Sequence, residues 1–227
     1  MSREIRVSDD PAAEVAERLT EVAMAGGHVV LTGGSSPKAA YQLAAERDAD
    51  WSSATVWFTD ERCVPPGHPD SNFGMADRAL LSQLSAAPSV VRMEGELGPD
   101  AGAGNYEAAV HERMGSDPRW NLLLLGMGPD GHIASLFPGK PEVDERTRMA
   151  VGVPLAGMDP QVPRITLTMP ALAAAREAIL LITGESKAAM VARVFGPDPD
   201  RSLPAALVEL PYGTLTVLLD EAAASKL

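Results

Sequence analysis

Short, strongly apolar runs of strand length recur along this chain, and each leads into a loop bearing glycine or charge and then into a stretch with helical periodicity. NLLLLG, residues 121–126, is the most apolar, and HVVLT, EAILLIT and TLTVLLD share its character. Runs this short and this uniformly apolar need cover on both faces, which a parallel sheet flanked by helices supplies. The pattern predicts an α/β fold, a mainly parallel sheet with helices on both faces.

The intervening stretches fill in the pattern. Over residues 10–25, Val15, Leu19 and Val22 recur at helical spacing, and Gly26 and Gly27 stop the helix. Ser36 as N-cap and Pro37 at the first helical position open a second helix whose apolar face holds Ala39, Ala40, Leu43 and Ala44. TVWFTDE reads as one strand followed by a helix over 73–84, and VVRM as a strand followed by a helix over 106–114. After NLLLLG, a short helix carrying Ile133, Leu136 and Phe137 ends at Pro138 and Gly139. RITLT is a further strand, and a helix over 185–195 follows EAILLIT. Pro/Gly-rich stretches at 137–141, 152–163 and 196–204 read as loops, and no repeat or long linker divides the chain. A single domain over 1–227 is expected.

Composition removes several classes of function. With 45% hydrophobic and 22% charged residues the chain is built for a core rather than for disorder. Cys63 is the only cysteine, so no internal disulfide forms, and no apolar run is long enough to cross a bilayer. The start, MSREIRVSDDPAAE, lacks the apolar centre of a secretion signal, so a cytoplasmic location and no membrane partner are expected. A net charge of −12 with no basic run opposes binding to nucleic acid. A small anionic substrate would need a few cations gathered locally. No feature of the sequence sets an oligomeric state.

Ligands of open parallel sheets collect at the carboxyl ends of the strands, and four segments place glycine or charge there. TGGSSP, Thr32 to Pro37, allows close approach to backbone and offers hydroxyls at a helix start, suiting a phosphate or a sugar oxygen as well as a plain capped turn. It lacks the Gly-Lys-Ser/Thr end of a nucleotide triphosphate loop. In GMGPDGH, Gly126, Gly128 and Gly131 match a dinucleotide fingerprint, but Pro138 breaks the helix behind it and MAVGV ends without the acidic residue a ribose needs. The alternative is that this turn aims His132 at the crevice, with Asp130 capping the short helix and the helix N-terminus helping to keep the imidazole neutral, although a structural histidine fits the same spacing.

In TDER, strand alternation sends Asp60 and Arg62 to one side and Glu61 to the other; Arg62 then serves an anion or pairs with an acid. Lys187, at a helix start after Gly184, suits a phosphate or open solvent. Arg164 begins its strand instead of ending it, so the crevice rule assigns it nothing. Cys63 has no sequence-evident histidine partner and reads as a packing thiol. His28, His68, His111 and His132 share no ligand spacing with each other or with Cys63, so no metal is expected, and no cofactor.

Taken together, LTGGSSP, VWFTDERCVPPGHPDSN, NLLLLGMGPDGHIASLFPG, RITLTMPAL, GESK and PAALVELPYGTLTVLLDEAA, in this order and over most of the chain, resemble the 6-phosphogluconolactonase family, of one superfamily with glucosamine-6-phosphate deaminases and ribose-5-phosphate isomerases. Ser36 replaces the family's usual threonine and keeps the hydroxyl. The resemblance implies hydrolysis of 6-phospho-D-glucono-1,5-lactone to 6-phosphogluconate, an ester hydrolysis of the oxidative pentose phosphate pathway. It implies His132 as general base with Asp130 in the same motif, and Gly33, Gly34 and Ser35 near the substrate. Arg164 and Lys187 match phosphate-binding positions; Arg62 and Asn72 match positions near the lactone, where Arg62 or backbone amides would meet the oxyanion. Competing readings are a deaminase-like isomerase, whose motif resembles DEY where this chain has DER, a non-catalytic sugar-phosphate-binding regulator, and an NAD-binding dehydrogenase.

Overall fold

The computed structural model describes residues 2–227. In chain order the elements are β1 (Ser2–Val7), α1 (Pro11–Met24), β2 (His28–Leu31), α2 (Ser35–Glu46), β3 (Thr55–Phe58), β4 (Asp60–Arg62), α3 (Asn72–Ala79), β5 (Ser89–Val90), α4 (Pro99–Met114) and β6 (Leu122–Leu125). They continue with β7 (Ala150–Val153), β8 (Arg164–Leu167), α5 (Met169–Ala173), β9 (Glu177–Ile182), α6 (Ala188–Phe195), β10 (Thr214–Leu219) and α7 (Glu221–Ala224). Seven strands form one sheet in the order β1-β10-β9-β6-β2-β3-β5, with every pairing parallel. A small antiparallel sheet, β4-β8-β7, leans against it.

Alternation along the central strands sorts side chains into two cores. Val29, Leu31, Val56, Phe58, Leu122 and Leu124 face α1, α2 and α3, where Leu19, Tyr41 and Ala76 are buried. Val30, Trp57, Leu123 and Leu125 face the other way, onto Tyr106 and Val110 of α4, Val191 and Val194 of α6, and Ile165 and Leu167 of the small sheet. Both faces are therefore dry, which explains why the central strands read as unbroken apolar runs.

The strand order reverses between β2 and β6. From β2 the chain proceeds outward to β3 and β5; from β6 it proceeds the opposite way to β9 and β10. Loops leaving neighbouring strands in opposite directions open a crevice at their carboxyl ends. The glycine-rich segments after β2 and β6 flank that crevice.

Several expectations need correction. TVWFTDE is not one strand: Thr59 donates its N–H to Leu31 O at 2.8 Å and accepts from Leu167 N at 2.7 Å, so β3 stays in the large sheet while β4 crosses to the small one. RITLT, β8, belongs to that antiparallel sheet. The expected helix over 131–137 does not form; Ile133 and Leu136 make an antiparallel bridge across a turn, and Ala134 has a left-handed φ of 48°. Gly34, not Ser36, is the N-cap of α2, and Ser36 lies inside the first turn. The helix over 73–84 stops at Ala79, with a single 3-10 turn beyond it, and the one over 185–195 begins with a 3-10 turn before α6. VVRM contributes only Val90 to β5, because Met93 turns away into the core. The helix α4 starts at Pro99, well before residue 106. The edge strand β1 was not expected: its residues 3–7 are exposed, and Arg3, Glu4 and Arg6 interrupt any apolar run.

Candidate active site

The first wall of the crevice is the loop after β2. A side chain at Gly33 would place its Cβ 2.1 Å from Asn72 Oδ1, so this loop closes onto Asn72 only because the position is glycine. Asn72 is buried and donates its amide to Asp60 O at 2.9 Å and Asp60 Oδ1 at 3.2 Å. Ser36 Oγ lies 2.6 Å from Thr183 Oγ1, so a shared hydrogen bond ties this loop to the one after β9.

The second wall comes from β4. As alternation predicts, Asp60 and Arg62 line the cleft and Glu61 points away. Glu61 accepts from Asn72 N (2.7 Å), Phe73 N (2.8 Å), Ser71 Oγ (2.9 Å) and Arg62 N (2.7 Å), which satisfies the first amides of α3 and fixes Asn72 at its start. Burial pushes the Glu61 carboxyl above its ordinary value, against the pull of those four donors.

His132 stands opposite, on the turn after β6. Gly128 N donates to His132 O at 2.9 Å, and Gly131, at φ +82°, closes the turn with a 3.1 Å bond to Gly128 O. Asp130 caps no helix here. Its Oδ1 accepts from His132 N at 3.2 Å and lies 2.6 Å from ring Nδ1. Partial burial pushes the Asp130 carboxyl up, but the His132 bonds and charge outweigh it, and the group sits below the usual carboxylate range. An ionised carboxylate only accepts, so Nδ1 is the nitrogen that donates to Asp130, and in the neutral ring the lone pair falls on Nε2. The helix dipole expected to keep the ring neutral is absent; the carboxylate selects the tautomer instead. The ring packs on Phe137, centroids 4.7 Å apart, and a Cβ at Gly128 would fall 2.0 Å from Nδ1.

Three cations converge on the cleft. Arg62 and Arg164 are register partners on β4 and β8; because that pairing is antiparallel, the start of β8 lies beside the end of β4, which is how Arg164 reaches a site it was not placed in by the crevice rule. Arg62 donates Nη1 to Asp70 O at 2.6 Å, and Arg164 donates Nη2 to Pro160 O at 3.1 Å and Met158 O at 3.4 Å. Among the described residues, neither Nε, buried in both arginines, has a partner. Burial lowers the Arg164 pKa, opposed by Asp60. Lys187 donates to Met127 O at 2.8 Å, and burial draws its pKa down against the raising effect of Asp130. A half-open cleft of about 200 Å³ is lined by Gly33, Gly34, Ser35, Asn72, Arg62, His132, Arg164 and Lys187, while Asp130 stands behind the ring.

Other candidates lie elsewhere. Cys63 is outside the cleft, its thiol pushed up to about 11 by burial and then by Glu61 and Asp100. His28 accepts from Trp57 Nε1 at 3.0 Å at the amino end of β2. Among the described residues no three His, Cys, Asp or Glu side chains gather as metal ligands would. Sequence reasoning missed Ser135, whose hydroxyl donates to Asp60 Oδ2 at 2.7 Å, and Thr183. Neither carries a signal in one dimension, since each meets its partner across the fold.

A crevice of this kind, with a carboxylate-oriented imidazole facing clustered cations, belongs to proteins that handle small anionic metabolites. Residues 3–217 match the family described as glucosamine-6-phosphate isomerases/6-phosphogluconolactonase. The chain is 42% identical over 214 residues to 6-phosphogluconolactonase of Streptomyces coelicolor, spanning 88% of this chain and 81% of that one. It is 40% identical over 173 residues to the human 6-phosphogluconolactonase, covering 75% and 67%. The crystal structure of 6-phosphogluconolactonase from Thermotoga maritima superposes with a TM-score of 0.83 at 28% identity, over 96% of this chain and all of that one. The chain belongs to the glucosamine-6-phosphate isomerase/6-phosphogluconolactonase family.

Proposed function

We propose that this enzyme hydrolyses 6-phospho-D-glucono-1,5-lactone to 6-phosphogluconate in the oxidative pentose phosphate pathway, with His132 as the base that activates water. The observation that carries the reading is the 2.6 Å contact between Asp130 Oδ1 and His132 Nδ1, which makes Nε2 the free nitrogen of the ring in a cleft shared with Arg62, Arg164 and Lys187. A lactone carbonyl is already electrophilic, so the attacking water needs only to be placed and deprotonated; no acyl-enzyme and no metal or nucleotide cofactor enters.

Nε2 takes a proton from water as the oxygen adds to C1, giving a tetrahedral oxyanion. Arg62, or the backbone amides near the glycine turns, meets that charge; the imidazolium is held by Asp130 and returns its proton to the ring oxygen as the C1–O bond breaks. Arg164 and Lys187 grip the phosphate, and Gly33, Gly34, Ser35 and Asn72 shape the sugar site. Anchoring by the phosphate holds the carbonyl against the base, converting remote binding into orientation. One domain over 1–227 carries the whole site, and the setting is cytoplasmic, with a phosphorylated sugar lactone as partner and neither nucleic acid nor membrane. No described helix is long and apolar enough to cross a bilayer.

The test is lactone hydrolysis above the spontaneous rate, run beside ammonia release from glucosamine 6-phosphate. Lactone turnover in large excess is expected. Faster ammonia release would transfer the protein to the deaminase branch of its family.

A further inference from the structure

Ala134 is one of the few non-glycine residues in the left-handed region, at φ 48°, and it lines the cleft two residues after His132. An L side chain occupies that region at a cost, so something must hold the bend. The next residue supplies the hold. Ser135 is fully buried, its N–H donates to Thr166 Oγ1 at 3.1 Å, and its hydroxyl donates to Asp60 Oδ2 at 2.7 Å. Asp60 is itself immobilised, since its Oδ1 accepts from Thr59 Oγ1 at 3.1 Å and Asn72 Nδ2 at 3.2 Å. Asp60 is also the first residue of β4, the strand that carries Arg62.

We propose that Asp60 and Ser135 are positioning residues for the hydrolysis: their hydrogen bond is a latch that keeps Ala134 in its left-handed bend and so fixes the His132 ring relative to Arg62. The inference rests on the assignment of His132 as the base. The base sits on a turn after β6 and the oxyanion-facing cation on β4, two elements from different sheets. Apart from packing, the Ser135 hydroxyl is the direct side-chain tie between the turn and Asp60. Without it the bend relaxes toward the ordinary right-handed or extended region, and the peptide next to His132 rotates with it. Phosphate anchoring through Lys187 and Arg164 does not depend on that bond.

The experiment compares kcat and KM for lactone hydrolysis in wild type, Ser135→Ala, Ser135→Ala with Ala134→Gly, and His132→Ala. Ser135→Ala is expected to lower kcat about 10- to 100-fold, the loss that small misplacement of a reacting group produces, with KM close to wild type. Adding Ala134→Gly should recover several-fold of that kcat, because glycine holds a positive φ without help. If Ser135→Ala does not fold, Ser135→Cys fills the site with a slightly larger group and a weaker donor, and a smaller fall in kcat in the same direction is expected of it. A folded Ser135 variant with wild-type kcat would overturn the latch, and so would a loss that Ala134→Gly leaves untouched. His132→Ala separates the two levels: if it alone is inactive, the base stands and the latch falls; if it is as active as wild type, the base assignment has failed and the latch with it.

Discussion

Asp130 decides which nitrogen of His132 holds the proton, and that decision is chemical as well as geometric. Asp130→Asn can turn its amide N–H toward Nδ1, which moves the proton to Nε2 and removes the lone pair that the proposed base would offer to water. We expect kcat to fall about 10²-fold or more with KM little changed, in steady-state lactone assays. Lys187→Ala should do the reverse, raising KM about 10- to 100-fold, the worth of a charge-assisted hydrogen bond, and an unchanged KM would remove Lys187 from the phosphate site. At this scale alternation was readable, since it put Asp60 and Arg62 on the cleft side of β4, whereas Asp130 read as a helix cap and instead bonds the His132 ring. Arg164 came from family resemblance alone, because only an antiparallel ladder brings a strand's first residue to the cleft. Gly128 looked like part of a dinucleotide fingerprint; its actual constraint is the imidazole ring that occupies the space a Cβ would take.

Elements are where the site is held together. Glu61 turns away from the chemistry and fastens the start of α3 to β4 through four donors. Glu61→Gln would set an amide N–H₂ against at least one backbone N–H, Phe73 N in one flip or both Arg62 N and Asn72 N in the other, and is expected to cost about 1–3 kcal/mol of stability. A Tm equal to wild type in thermal unfolding would show that α3 is held by other means. The strand and helix positions that were legible are those fixed by apolar periodicity, such as α1, β2, β6, β9 and β10. The illegible ones depend on hydrogen bonds to distant strands. TVWFTDE has continuous strand character, and only the two-sided bonding of Thr59 divides it. Residues 131–137 have helical spacing of Ile133, Leu136 and Phe137, yet Ser135 is claimed by Thr166 and Asp60. α4 hid its first turns because Gly102 and Gly104 dilute the pattern; Gly102 lies against Ile165, where a Cβ would meet Cδ1 at 2.3 Å.

Across the whole molecule, reversal of strand order between β2 and β6 creates the crevice, and two dry faces make the sheet rigid enough to aim groups from four loops. That architecture was visible in the apolar runs, whereas β1 was not, since an exposed edge strand carries no apolar run. The far end of the sheet sets a pH limit on the fold. Burial, and then Arg113, hold the His28 pKa below its ordinary value, and its Nδ1 must stay unprotonated to accept from Trp57. The unfolded chain therefore takes up this proton first as pH falls, so stability declines from about pH 6.5 downward and levels off below the folded value. In Tm measured between neutrality and mild acid, His28→Gln should show a shallower decline than wild type; parallel curves would refute the linkage. The most direct measurement of the base proposed at His132 is kcat for the phosphorylated lactone, corrected for spontaneous opening, in wild type and His132→Ala. A fall of about 10²- to 10⁴-fold with KM retained is predicted; equal turnover by the two proteins would contradict it.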